Sequence, residues 1–85
     1  MIVGGNLNEP VAVAFGKVLR RLRKDAPMSQ EELGMAAGLQ QRYISWLERG
    51  LNQPSITTVF QLAYALKMSP RQLVELVEAE LGLSP

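Results

Sequence analysis

The sequence predicts an all-α fold, a single small domain of five helices. Three observations point there. No stretch alternates apolar and polar residues over the length of a strand. Glycine, proline and serine punctuate the chain at helix-length intervals. Between those marks, apolar residues recur at three- and four-residue spacings. The 85 residues are 47% hydrophobic, enough for one core. A chain this short buries only about 60% of the surface that it exposes when unfolded, so self-association would add to its stability.

The first helix is expected over about 10–24, where Val11, Phe15, Val18, Leu19 and Leu22 form one stripe. Asp25-Ala26-Pro27 ends it, because a proline disfavours helical backbone at the residue before it. Ser29 opens the second helix with a capping box closed by Glu32, and Gly38 supplies a left-handed turn that stops it. A third helix, about 40–48, ends at Gly50 in the same way. Ser55 caps the fourth, whose apolar set is Ile56, Val59, Phe60, Leu62, Ala63 and Leu66. Ser69-Pro70-Arg71-Gln72 is a further start signal: Ser at the cap, Pro at the first helical position, Gln in the capping-box place. The fifth helix then spans about 70–81 with Leu73, Val74, Leu76, Val77 and Leu81 apolar. Residues 1–9 read as a flexible arm, 10–81 as the domain and 82–85 as a frayed end. Met28, Met35 and Met68 are expected to fill gaps in the core.

Composition removes several function classes. With no cysteine and no histidine, disulfides, thiolate nucleophiles, imidazole proton transfer and the usual zinc and haem ligand sets are all absent. Nothing pairs a nucleophile with a base, so neither an enzyme nor a cofactor or metal site is expected. No apolar run approaches the roughly 18 residues of a membrane span, and the N-terminus lacks the basic and apolar regions of a signal peptide. A cytoplasmic protein with no membrane contact is the expectation. The net charge of +1 is unevenly laid out: residues 10–67 carry eight basic and four acidic side chains, residues 68–85 one basic and three acidic. A basic body with an acidic end suits a module whose body meets a polyanion. Lys17, Arg20, Arg21, Arg23 and Lys24 are expected to give general electrostatic support, or to be only the solvated face of the first helix.

Residues 30–49 are the most specific part. A short helix, a glycine turn and a second short helix make a helix-turn-helix, whose second helix enters the DNA major groove. Leu33 and Ala37 give the first helix a buried face, Gly34 is small where the two helices approach, and Ile44 and Leu47 hold the second helix from behind. That orientation turns Arg42, Ser45, Trp46 and Arg49 outward, with Gln41 and Tyr43 at the shoulders and Glu48 toward the inside. Arg reads guanine, Gln reads adenine and Ser reads either, whereas an ordinary surface helix more often carries Glu and Lys there.

Residues 15–80 resemble the lambda-repressor/Cro-like helix-turn-helix family, the XRE family. The resemblance rests on Phe15-Gly16-Lys17 to Leu22-Arg23, Ser29-Gln30-Glu31-Glu32-Leu33, Ala37-Gly38-Leu39, Tyr43-Ile44-Ser45, and Leu47-Glu48-Arg49-Gly50 with Asn52 and Pro54-Ser55. It extends to the small controllers of restriction-modification operons and to small phage repressors. The resemblance implies a five-helix, lambda-repressor-like DNA-binding domain that binds double-stranded operator DNA as a homodimer and regulates transcription. Gln41, Arg42, Ser45 and Trp46 would read bases. Gln30, Gln40, Tyr43, Arg49, Asn52 and Ser55 would lie against phosphates. Gln40 stands where the family often has a Ser or Thr cap, so the recognition helix would be capped more weakly. Trp46 replaces a residue that is usually polar; it would meet a thymine methyl, pack on sugar, or lie over neighbouring side chains. Arg49 would bind phosphate or its own helix's last carbonyls.

Leu73, Leu76, Val77 and Leu81 exceed what one small core readily covers. With the end of the fourth helix they are expected to form a two-fold dimer interface; the other reading is that they close the monomer core. A dimer would set two recognition helices roughly 34 Å apart and require a near-palindromic operator. Regulation would be by occupancy, with RNA polymerase blocked or recruited, and with the protein's own concentration as the signal. The competing reading is an antitoxin-like or other protein-interaction module that uses the same fold mainly to hold a partner protein.

Overall fold

A computed structural model describes residues 8–82, within which five helices and no strand occur. They are α1 (Asn8–Asp25), α2 (Gln30–Ala37), α3 (Gln41–Glu48), α4 (Ile56–Ala65) and α5 (Pro70–Leu81). Of the expected N-terminal arm, residues 1–7 lie outside the described part; residues 8 and 9 are helical, so α1 starts earlier than its apolar stripe suggested. Pro10 falls in the first turn, where backbone amides have no intrahelical acceptor and a missing N–H costs nothing. Glu9 in the first turn and Arg23 and Lys24 in the last suit the helix dipole.

The caps form as their chemistry requires. Ser29 Oγ accepts from the Glu32 amide at 3.0 Å, and Glu32 Oε1 accepts from the Ser29 amide at 2.8 Å. Ser69 and Gln72 repeat the arrangement at α5, and Ser55 Oγ accepts from the Thr58 amide at α4. Gln40, at the head of α3, makes no side-chain cap. Gly38 ends α2 in the left-handed region at φ 73°. Gly82 does the same for α5, so this residue is a helix cap and not part of a frayed end; residues 83–85 lie outside the described part. Lys67 adopts φ 60° after α4, a conformation that a side chain makes costly.

The core is drawn from every helix: Ala14, Phe15, Val18 and Leu19 of α1, Leu33 and Ala37 of α2, Ile44 and Leu47 of α3, Val59, Leu62 and Ala63 of α4, Leu73 and Val77 of α5. α1 packs across α3 and α5, while α4 packs on α2 and α5. Four expectations change. Leu73 and Val77 are sealed inside the protomer, because α5 lies against both α1 and α4, so neither is presented to a second chain. Leu76 and Leu81 are half-buried against the same core. Ile56 and Phe60 point outward and α4 buries Thr58 in their place, since its apolar residues spread over more than the one face that α2 and α5 cover. Met28 and Met68 pack on the core, but Met35 is 79% exposed: α2 buries only Leu33, Gly34 and Ala37, and Met35 lies off that face.

Candidate nucleic-acid interface

The position of α3 is set by two close approaches and one turn. A Cβ on Gly34 would sit 2.6 Å from the carbonyl oxygen of Leu39, so α2 and the turn meet at a distance that only glycine permits. A Cβ on Gly16 would lie 2.7 Å from the carbonyl oxygen of Glu48, where α1 crosses the C-terminal end of α3. Gly38 provides the reversal, and the Leu39 amide donates back to the Gly34 carbonyl at 2.8 Å. Ile44 and Leu47 are fully buried, which fixes the rotation of α3 about its axis.

That rotation leaves Gln41, Arg42, Trp46 and Arg49 exposed, with Gln40 exposed just before them and Tyr43 and Ser45 half-buried at the edges. The Arg42 guanidinium lies over the Trp46 ring, 5.9 Å from its centroid and one helical turn away, in cation–π contact. Of the three environments expected for Trp46, the structure shows the contact with a neighbouring side chain. Arg49 makes no side-chain hydrogen bond within the described residues, α3's own last carbonyls included. The Tyr43 hydroxyl shares a 3.4 Å hydrogen bond with Thr58 Oγ1 and ties α3 to α4. Asn52 is half-buried in the loop between α3 and α4, and Ser55 is exposed at its end with its hydroxyl serving as the α4 cap.

The single acid of α3, Glu48, is removed from this face altogether. Arg23 Nε donates to Glu48 Oε2 at 2.6 Å and Arg23 Nη2 to Glu48 Oε1 at 3.0 Å, and Arg23 Nη1 donates to the Met28 carbonyl at 2.8 Å. Gln30 Nε2 donates to Glu48 Oε1 at 3.1 Å. One carboxylate thus ties the end of α1 and the start of α2 to the last turn of α3. Arg23 is therefore a buried structural cation, not part of a solvated basic face. The hydrogen bond to Glu48 raises its pKa above the ordinary arginine value, against the opposing effect of burial. The signal for this pair was present in the sequence: Arg23 continues the Phe15–Leu19 row at the next four-residue step, and Glu48 faces inward on α3. Of the other α1 cations, Lys17 and Arg21 lie on the α5 side, where Arg21 Nη1 donates to Glu80 Oε1 at 3.4 Å and Lys17 lines a groove with Glu9 and Glu80.

The result is a convex helix face with the cations Arg42 and Arg49, the Gln41 amide, the Tyr43 and Ser45 hydroxyls at its edges, one indole and no exposed carboxylate. Gln30 stands beside it at the first position of α2, where free backbone amides favour an anion. Among the described residues no three carboxylates, cysteines or histidines gather as metal ligands, and no helix is long and apolar enough to cross a membrane.

Comparison with known proteins agrees with this geometry. The helix-turn-helix domain family profile matches residues 14–77. An uncharacterized HTH-type transcriptional regulator of Sinorhizobium fredii, y4dJ, is 41% identical over 59 residues, which cover 69% of this chain and 77% of that protein. The control protein C.BamHI of Bacillus amyloliquefaciens is 32% identical over 66 residues, 76% of this chain and 82% of its own. Among solved structures, the restriction-modification controller protein C.AhdI of Aeromonas hydrophila superposes with a TM-score of 0.71 at 40% identity, over 73% of this chain and 94% of that one.

Proposed function

The chain belongs to the lambda-repressor-like helix-turn-helix family of DNA-binding transcriptional regulators, and from that premise we propose that it binds a near-palindromic operator as a homodimer and reads it with α3. The observation that carries the reading is the sorting of α3. Its outer face holds Gln41, Arg42, Trp46 and Arg49, Ile44 and Leu47 are buried behind, and its one carboxylate is sealed on Arg23. A helix so presented meets a duplex without like-charge repulsion from its own acid.

In the major groove Arg42 donates bidentately to a guanine, Gln41 pairs with an adenine edge, and Ser45 reads from the half-buried edge. The Trp46 ring holds the Arg42 guanidinium from one side and offers its far edge to a thymine methyl or sugar. Gln30, Gln40, Tyr43, Arg49, Asn52 and Ser55 fix the register against phosphates. Gln30 keeps one side-chain N–H and its backbone amide for this task, because its other N–H is held by Glu48. Two protomers present their α3 helices roughly one DNA turn apart. Occupancy then changes the access of RNA polymerase, in the cytoplasm, with protein concentration as the signal. The relation to restriction-modification controller proteins supports a regulatory role.

The test is selection from a randomised duplex pool, followed by mobility shifts of the selected duplex across a salt series. The expected result is an inverted-repeat consensus whose binding weakens with salt by about 0.9 log units per log unit for each neutralised phosphate. A pool that never enriches, from a chain that instead copurifies stoichiometrically with another protein, contradicts the proposal and supports the protein-interaction reading.

A further inference from the structure

α4 buries Val59, Leu62 and Ala63, and with them Thr58, a polar residue left only 6% exposed. A valine would fill the same space with no polar atom to satisfy. The Thr58 hydroxyl is instead the middle of a chain of three. Ser55 Oγ donates to Thr58 Oγ1 at 3.0 Å, and Thr58 Oγ1 shares a 3.4 Å hydrogen bond with the Tyr43 hydroxyl of α3. The chain starts at the head of α4, where Ser55 Oγ also accepts from the Thr58 amide at 3.0 Å. That cap uses the Ser55 oxygen and the Thr58 backbone, so the side chain at 58 has no part in it. Nor is the hydroxyl needed to hold α3, which Ile44 and Leu47 already anchor in the core.

We propose that Thr58 is a positioning residue for DNA binding: as the middle link, it turns the single hydroxyl hydrogen of Tyr43 away from the protein and toward a phosphate. The inference rests on the assignment of Tyr43 to the phosphate backbone and supplies its mechanism. A phosphate oxygen only accepts, and a tyrosine hydroxyl has one hydrogen to give. If Tyr43 gave that hydrogen to Thr58, none would remain for the duplex. Ser55 decides the direction. Its oxygen takes the Thr58 amide and its hydrogen goes to Thr58 Oγ1. Thr58, accepting there, has its own hydrogen to place. It stands in the first turn of α4, and the residue four behind it, Pro54, lies outside the helix, so no helix carbonyl one turn back competes for that hydrogen. The hydrogen goes to the Tyr43 oxygen. Tyr43 is then an acceptor on its inner side and a donor on its half-exposed outer side. Each bond polarises the next, and the positive end of the α4 dipole at Ser55 acts in the same direction. The Tyr43 hydroxyl meets the phosphate already oriented, with no protein acceptor to give up. Ser55 contributes to the phosphate register through this chain, since its own hydrogen points inward.

The test is a double-mutant cycle in DNA binding. Tyr43→Phe, Thr58→Val and the two together, with Thr58→Ser as the conservative variant, are titrated against the selected operator and a random duplex; circular dichroism checks that each is folded. Tyr43→Phe should weaken both duplexes about tenfold, the loss of one hydrogen bond to a charged acceptor that carries no sequence information. Thr58→Val should weaken both by roughly three- to tenfold, and Thr58→Ser by less than about twofold. In the Tyr43→Phe background, Thr58→Val should change affinity by less than about twofold, because it acts only through the Tyr43 hydroxyl. The salt slope should stay the same in every variant, since a neutral hydroxyl releases no counterion. A merely structural Thr58 gives another pattern: α3 loosens, operator preference falls while random DNA is held as before, and the loss persists without the Tyr43 hydroxyl. That pattern overturns the inference. So does a Thr58→Val protein that binds like wild type while Tyr43→Phe binds weakly, and in both cases the phosphate assignment of Tyr43 stands. A Tyr43→Phe protein that binds both duplexes like wild type overturns the assignment and the inference together.

Discussion

Replacing Glu48 by Gln removes one negative charge from the hub that joins α1, α2 and α3 while keeping the side chain's shape. The side chains of Arg23 and Glu48 are only 10% and 1% exposed, so water cannot take the place of the lost partner. The guanidinium stays charged even without that partner, because arginine is not deprotonated in proteins near neutral pH; in the wild type the hydrogen bond to Glu48 holds its proton above the ordinary arginine range. That raised value stabilises the fold at every pH below the unfolded arginine pKa and is lost only above it, so no pH dependence near neutrality follows from Arg23. Breaking a buried ion pair from one side costs about 3–5 kcal/mol. The glutamine oxygen still accepts one hydrogen bond from Arg23, which favours the lower end, about 3 kcal/mol. For a domain of this size, each kcal/mol moves the melting midpoint by about 4–8 °C, so Glu48→Gln should lower Tm by at least about 12 °C. Urea and thermal unfolding followed by circular dichroism provide the measurement. The paired change Arg23→Met with Glu48→Leu should recover most of the loss, since apolar residues of similar volume replace such pairs at little cost. A Glu48→Gln protein within 1 kcal/mol of wild type, on the scale at which surface changes fall, would refute the claim that this carboxylate is a buried link.

Three further outcomes follow from the packing. Gly16→Ala places a methyl 2.7 Å from the Glu48 carbonyl oxygen, and the α1–α3 crossing must open; a loss of about 1–3 kcal/mol in urea unfolding is expected, with weaker DNA binding because α3 shifts. Lys67→Gly relieves a left-handed residue at φ 60°, and after the extra flexibility of the unfolded chain is counted it should stabilise by about 0.5–1 kcal/mol in the same assay. Trp46→Ala frees the Arg42 guanidinium and should lower discrimination at the base pair that Arg42 reads by roughly three- to fivefold, while Trp46→Phe keeps a ring face and most of the discrimination. Competition binding against duplexes substituted at that one base pair reports this, and equal losses for the two variants would contradict the stacking role.

The elements were legible because their ends are chemical. Ser29 with Glu32, Ser69 with Pro70 and Gln72, and Gly38 each fix a boundary by local hydrogen bonding or backbone geometry, and local effects are readable in a linear sequence. The sorting of α3 was legible because two branched aliphatics, Ile44 and Leu47, set the phase of a short helix. What was not legible is which apolar face a neighbour covers. The periodicity of α5 placed Leu73 and Val77 on one stripe but could not say that α1 and α4 already occupy it. For the same reason Ile56 and Phe60 of α4 read as core, although both are exposed. Arg23 was grouped with the solvated cations around it because charge pattern alone does not register a partner twenty-five residues away.

The central claim is that α3 reads bases through Arg42 while Gln30 only holds the phosphate backbone. Titrating Arg42→Ala and Gln30→Ala against both the selected operator and a random duplex at one salt concentration tests it directly. Arg42→Ala should cost about 1–3 kcal/mol on the operator and much less on random DNA, with preference lost at one base position per half-site. Gln30→Ala should weaken both duplexes by a similar factor. If Arg42→Ala loses as much affinity for random DNA as for the operator, α3 is not the reading element.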